Sequence, residues 1–310
     1  MHEGSNKAVL AALAANLGIA LSKFVGYFLT GAASMLAEAV HSVADCGNQL
    51  LLLLGSARAR REATTQHPFG YGRERYFWSF VVALVIFVLG GAFAVYEGVE
   101  KLRHPVPLTS PLVAVAILFF GLVLEALSFR TAMQEARVLR GDRGWLDFIR
   151  QTKAAELPVI LLEDLGALVG LFLALIGIGL AVLTNQPRFD ALGSIAIGVL
   201  LVIIAFVLAT EMRSLLLGES ASEETLHKIE VAMLTGSKAK CLIHLRTTHL
   251  GPEELLVAAK LGFEASLAFA EVALEIDAAE ARIRAAVPIA RLIYIEPDVF
   301  RESQFPLTPA

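Results

Sequence analysis

Charge is scarce in this chain: 18% of its 310 residues are Asp, Glu, Lys or Arg, against about 25% in a soluble domain. With 56% hydrophobic residues and a mean hydropathy of +0.65, that shortage argues against an ordinary soluble globule. It points to an integral membrane protein with room for one small soluble domain. The net charge of −4 offers no basic footprint for nucleic acid. Cysteine is rare too. Cys46 and Cys241 lie in different regions and form no CxxC, so neither a disulfide framework nor a structural zinc site is indicated. The P-loop GxxxxGKS/T and the HExxH and GxSxG motifs are absent, so neither an enzyme nor an organic cofactor is expected. The start, MHEGSNK, is short and polar, and the apolar run after it is long enough to stay as an anchor rather than a cleaved leader.

Long apolar runs are what the sequence does have. A spanning helix needs about 20 mostly apolar residues. Six segments qualify, near 8–29, 34–57, 77–99, 109–132, 156–184 and 190–217. TGAAS, RHPVPLTSP and TNQPRFD read as the turns between them. Arg58, Arg60, Arg61, Arg73 and Arg75 follow the second segment, and Arg137, Arg140, Arg143, Arg150 and Lys153 follow the fourth; the other side has Lys101, Arg103 and Arg188. The positive-inside rule then puts both termini in the cytoplasm, and the membrane is expected to be a bacterial plasma membrane. After Gly218 the apolar runs shorten and charge returns. The expected division is a six-helix transmembrane domain at 1–218 and a cytoplasmic domain at 219–310. In the latter, helix, strand, strand, helix and strand patterns follow one another, which suggests a small α+β sandwich.

The second segment contains MLAEAVHSVADCGNQLLLLLG. Residues four apart share a helix face, so His41 and Asp45 point one way, with Glu38 and Asn48 extending the stripe. The fifth segment carries Glu163 and Asp164 in LLEDLGALVGL. A charge at this depth is costly and normally faces a bundle interior or an aqueous cavity, paired with another polar group. Imidazole and carboxylate form a ligand set suited to Zn2+ and tolerated by Mn2+, Fe2+ or Co2+. His41, Asp45, Asp164 and Glu163 would be enough for one four-coordinate ion. Taken singly, each has an ordinary structural use. Lys23 is read as neutralising a carboxylate or snorkelling, Glu125 as pairing with Lys23 or Arg130, and Asp190 as a cap at the start of the sixth helix.

KFVGYFLTGAASMLAEAVHSVADCGNQLLLLLG followed by HPFGYGRERY strongly resembles the cation diffusion facilitator family. The resemblance implies six membrane helices, a ferredoxin-like cytoplasmic domain, a homodimer and zinc exchanged for protons at a site shared by the second and fifth helices. It implies His41, Asp45 and Asp164 as ligands; His67 is read either as a relay into the cavity or as the anchor of the loop between the second and third helices. The family's fifth helix carries HxxxD, but here the position four before Asp164 is Ile160. Glu163, Asn48 or a water is left to fill the gap. The LLED run and RFDALGSIAIG look like the mitochondrial-type zinc transporter branch. In the C-terminal domain Ala259, Lys260 and Tyr294 stand where ligands are expected, and His244, His249 and Glu296 make no full set; the domain is read as a dimerisation module, with metal sensing as the alternative. Ligands must lose protons to bind metal, and an imidazole changes charge near neutral pH, so proton antiport needs no ATP. The alternative is a non-transporting, metal-sensing or scaffold subunit.

Overall fold

The computed structural model describes residues 3–142, 144–145, 148–149, 152–153 and 156–301, with side chains from Asn16 on apart from 135, 138 and 139. Arg143 and Arg150, counted above among the basic residues, lie outside this set, as does the tail after Arg301. The chain divides into two compact units, 1–57 with 75–213, and 58–74 with 214–310.

The first unit is helical: α1 (Glu3–Thr30), α2 (Ala33–Ala59), α3 (Glu74–Arg103), α4 (Pro111–Arg140), α5 (Glu156–Thr184) and α6 (Arg188–Leu217). The turns follow from local chemistry. Gly31, at φ +64°, ends α1 in the left-handed conformation and donates to the Tyr27 carbonyl at 2.7 Å. Asn185 takes the same conformation after α5 (φ +54°), as Gly and Asn favour at helix ends. Among the described residues four helices, α3 to α6, are long and apolar enough to cross a membrane. α2 falls short of that measure because its polar stripe interrupts the apolar run. The outward faces carry bare apolar side chains such as Phe28, Leu112, Phe120 and Phe206. Met35, Val82, Ile86, Leu171, Ile197 and Leu208 form the interior. Inside α3, Ile86–Ala92 is wound as a π-helix. α3 and α6 approach closely: a Cβ on Gly98 would stand 2.8 Å from the Ala191 carbonyl, and one on Gly198 would stand 2.7 Å from the Gly91 carbonyl. Small residues at such crossings let backbones meet.

The second unit holds α7 (Glu223–Leu234), β1 (Cys241–Gly251), β2 (Glu254–Phe263), α8 (Phe269–Ala286) and β3 (Ala290–Val299). The sheet order is β1-β2-β3. β1 is antiparallel to β2 across a two-residue turn, and β2 is parallel to β3 through α8. Leu255, Val257, Ala259 and Leu261 alternate inward along β2, the period-2 signature of a half-covered strand. They meet Ile229, Met233 and Ile283 of the two helices. Ser222 caps α7 by accepting from the Thr225 N–H at 3.3 Å. The 58–74 segment belongs to this unit: Gly72 lies so close to the Leu250 carbonyl that a Cβ would stand 2.6 Å from it.

Candidate metal site

α2 owes its setting to one end contact. Its first N–H groups have no partner within the helix, as at any helix start. Here the Asp190 carboxylate accepts from the N–H groups of Ala33 (2.8 Å) and Ser34 (3.3 Å) and from the Ser34 hydroxyl. Lys101 donates to the same carboxylate at 2.8 Å and to the Gly31 carbonyl. Asp190 was expected to cap its own helix. It sits in the first turn of α6 instead and caps α2, because the tight turn at Gly31 leaves the start of α2 facing α6. An acid at a helix N-terminus is stabilising by about 0.3–2 kcal/mol. The contact fixes the depth of α2 in the bundle.

Ala33, Ala37, Ala39 and Ala44 of α2 are buried, and Ser34, Glu38, His41, Ser42 and Asn48 are buried with them. Lys23 of α1 reaches Glu38 (3.0 Å) and Ser42 (2.8 Å), so the carboxylate-neutralising reading of Lys23 holds and its partner is Glu38. A Cβ on Gly170 of α5 would stand 2.5 Å from Glu38 Oε1. Glu38 therefore joins α1, α2 and α5 rather than the cavity described next.

A cavity of about 750 Å3 lies between α1, α2, α4 and α5. Asp45 lines it from α2, Glu125 from α4, and Glu163 and Asp164 from α5. Glu163 and Asp164 are neighbours in sequence and yet share this one cavity. Glu163 accepts from Asn48 Nδ2 at 3.0 Å, so Asn48 orients it; Asp164 accepts from the Ser128 hydroxyl at 3.4 Å. His41 is fully buried, 3.5 Å from Asp45. Neither of its ring nitrogens has a hydrogen-bond partner among the described residues, and it stands behind Asp45 rather than in the cavity wall. Among the described residues, no three His, Cys, Asp or Glu side chains converge closely enough to hold an ion. The candidate ligands border one space without closing on a point. Ile160 lines the same wall, an apolar gap one turn before Asp164.

His67 lies in the second unit, its ring packed on Tyr71 at 4.7 Å between centroids. In the C-terminal sheet Lys260 pairs with Glu296 (3.0 Å) and Asp298 (3.3 Å). Bonds to Glu296 and Asp298 raise the Lys260 pKa, while the Val299 N–H and then Lys260 lower that of Asp298. An ammonium thus occupies the place where a metal ligand was sought. Sequence reasoning also missed the ion pair between Arg75 and Glu156, both in the cavity wall. The signal was present: Glu156 precedes Glu163 by seven residues, two turns along one face.

The cation efflux transmembrane domain matches residues 9–217. The chain belongs to the cation efflux, or cation diffusion facilitator, family. As a family member with several apolar helices it is an integral membrane protein. It is 32% identical over 265 residues to the mouse proton-coupled zinc antiporter SLC30A9, mitochondrial, covering 84% of this chain and 47% of the relative. Metal tolerance protein C4 of Arabidopsis thaliana is 28% identical over 265 residues, 85% of this chain and 58% of its own. Zinc transporter ZitB of Escherichia coli (strain K12) is 32% identical over 128 residues, 41% of this chain and 40% of its own. The chain spans about half the length of the relatives that cover most of it. The mitochondrial description of the first relative supports the mitochondrial-type branch. It is at odds with the expectation of a bacterial plasma membrane.

Proposed function

We propose that this cation efflux protein carries Zn2+ across a membrane in exchange for protons, with Mn2+, Fe2+ and Co2+ as the competing cargoes. One observation carries the reading: Asp45, Glu163 and Asp164, from two helices in an apolar bundle, border a single cavity with no Lys or Arg ion-paired to them among the described residues. Acids inside an apolar bundle with neither a cation nor a full set of donors are suited to a ligand that comes and goes. Asp45, Asp164 and Glu163 supply oxygen. His41 supplies nitrogen once its imidazole turns from behind Asp45. Asn48 holds Glu163 in place, and Glu38 holds Lys23. His67 is offered as a relay only.

The exchange follows from competition. Proton and metal seek the same lone pairs, so binding of Zn2+ releases protons and a more acidic far side displaces the ion. Rocking of the bundle turns the cavity from one side to the other. In this reading all six helices cross the bilayer, both termini are cytoplasmic, and residues 219–310 form a ferredoxin-like module that joins two copies in a homodimer. The protein is a carrier and not an enzyme. The test is flux of Zn2+, Mn2+, Fe2+ and Co2+ into proteoliposomes under an imposed pH gradient. Gradient-driven Zn2+ uptake is expected. No uptake of any of the four ions would favour a scaffold or metal-sensing subunit, the reading to which the unconverged ligands also lend weight.

A further inference from the structure

The cavity is a channel of polar steps. On α2 the wall carries Ser56, Gln49 and Asp45; on α4 it carries Thr131, Ser128 and Glu125; on α5 it carries Glu156, then Glu163 and Asp164. Spacings of three, four and seven keep Ser56, Gln49 and Asp45, Thr131, Ser128 and Glu125, and Glu156 and Glu163 each on one helix face, with Asp164 beside Glu163. The three rows run from the ends where α2 stops and α5 starts toward the acidic cluster. Glu156 stands eight residues before Asp164, about 12 Å along the axis.

At that outer end Arg75, from the first turn of α3, donates through Nε to Glu156 Oε1. Both side chains are largely buried, at 24% and 16% exposure. The second carboxylate oxygen, Glu156 Oε2, is buried and has no hydrogen-bond partner among the described residues. An arginine is always charged, and standing alone on this route it would repel an incoming cation. Paired with Glu156 it forms a neutral plug between the starts of α3 and α5.

We propose that the Arg75–Glu156 pair is the gate of the cavity, and that Glu156 is the first carboxylate a divalent cation meets before Asp45 and Asp164. The inference rests on the transport reading and adds the gate to it. The free oxygen of Glu156 receives the ion. Arg75 then loses its partner and swings off the path, and the ion moves inward past Thr131 and Gln49. Glu156 determines how readily a cation is captured; Arg75 determines how closed the empty cavity is.

Two readouts separate this from a simple tie between helices. The first is labelling of Gln49→Cys, in a chain with Cys46→Ser and Cys241→Ser, by a membrane-impermeant thiol reagent. Arg75→Gln and Glu156→Gln are each expected to speed labelling by about tenfold or more as the closed population falls. Arg75→Lys and the exchange Arg75→Glu with Glu156→Arg are expected to restore slow labelling. The second readout is Zn2+ flux in chains that keep Gln49. Glu156→Gln is expected to raise the KM about tenfold with little change in maximal rate, whereas Arg75→Gln leaves KM unchanged or lowers it. If all variants label and transport like the parent while their melting temperatures fall, the pair is structural only and the proposal is overturned. A parent that moves no zinc would overturn the transport reading, and the labelling arm would still judge the gate.

Discussion

Two groups of carboxylates sit in the same helical unit, and they are treated in opposite ways. Asp190 is saturated: two backbone N–H groups, a hydroxyl and an ammonium surround it. Asp45, Glu163 and Asp164 share a cavity with one amide donor, one hydroxyl donor and a neighbouring imidazole. All four are carboxylates of one apolar bundle, Asp190 in the first turn of α6 and the others well inside α2 and α5. What differs is the supply of donors, and with it the role. A satisfied acid locks helices together; an unsatisfied one waits for a ligand. Glu38 stands between the two: Lys23 donates to its Oε2, while its Oε1 is buried with no hydrogen-bond partner among the described residues.

Substitutions should split along that line. The largest effect is expected from Asp45→Asn and Asp164→Asn, which should reduce zinc flux in proteoliposomes to that of empty vesicles while detergent melting temperatures stay near the parent's. Asp190→Ala should do the reverse in kind. It strands Lys101 and uncaps α2, and breaking a buried pair costs about 3–5 kcal/mol, readable as a drop in unfolding free energy. If Asp190→Ala melted like the parent, the contrast would collapse. Ile160→His comes next. If the wall lacks only a ligand, zinc affinity measured by calorimetry should rise about tenfold, or ~1.4 kcal/mol; an unchanged or weaker affinity would mean that this wall has a different geometry.

The smallest effect belongs to the C-terminal sheet. There Lys260→Met should let the Asp298 pKa climb part of the way to its ordinary value, since the Val299 N–H, its main stabiliser, remains. A lowered carboxylate contributes stability above its unfolded pKa, and that contribution is lost as pH falls through the folded value. The variant should lose the part of that acid-side dependence that Lys260 supplies, which NMR titration of the Asp298 carboxyl would read.

Helices were the legible part. The 156–184 segment coincides with α5 because its apolar run starts and stops sharply, and β2 was readable as a short apolar run bounded by the turn before Glu254. The polar stripe on α2 and the acids on α5 were also plain, since charge in an apolar run has little background to hide in. Partner choice was not. Asp190 and Ala33 are 157 residues apart, and no local pattern tells an acid whether it will cap its own helix or another. The π turn in α3 left no mark either, because hydropathy is blind to a change in hydrogen-bond register. His41 was expected on the ligand face beside Asp45; in the structure it lies 3.5 Å from Asp45 and outside the cavity lining, because the direction of a side chain is set by packing that the sequence does not show.

The most direct test of the shared site is X-ray absorption at the zinc edge on zinc-loaded protein, compared with His41→Ala. Oxygen and nitrogen scatterers at about 2.0–2.2 Å, with the outer-shell signature of a single imidazole that vanishes in His41→Ala, are the expected result. A spectrum dominated by sulfur, or one that His41→Ala leaves unchanged, would contradict the account.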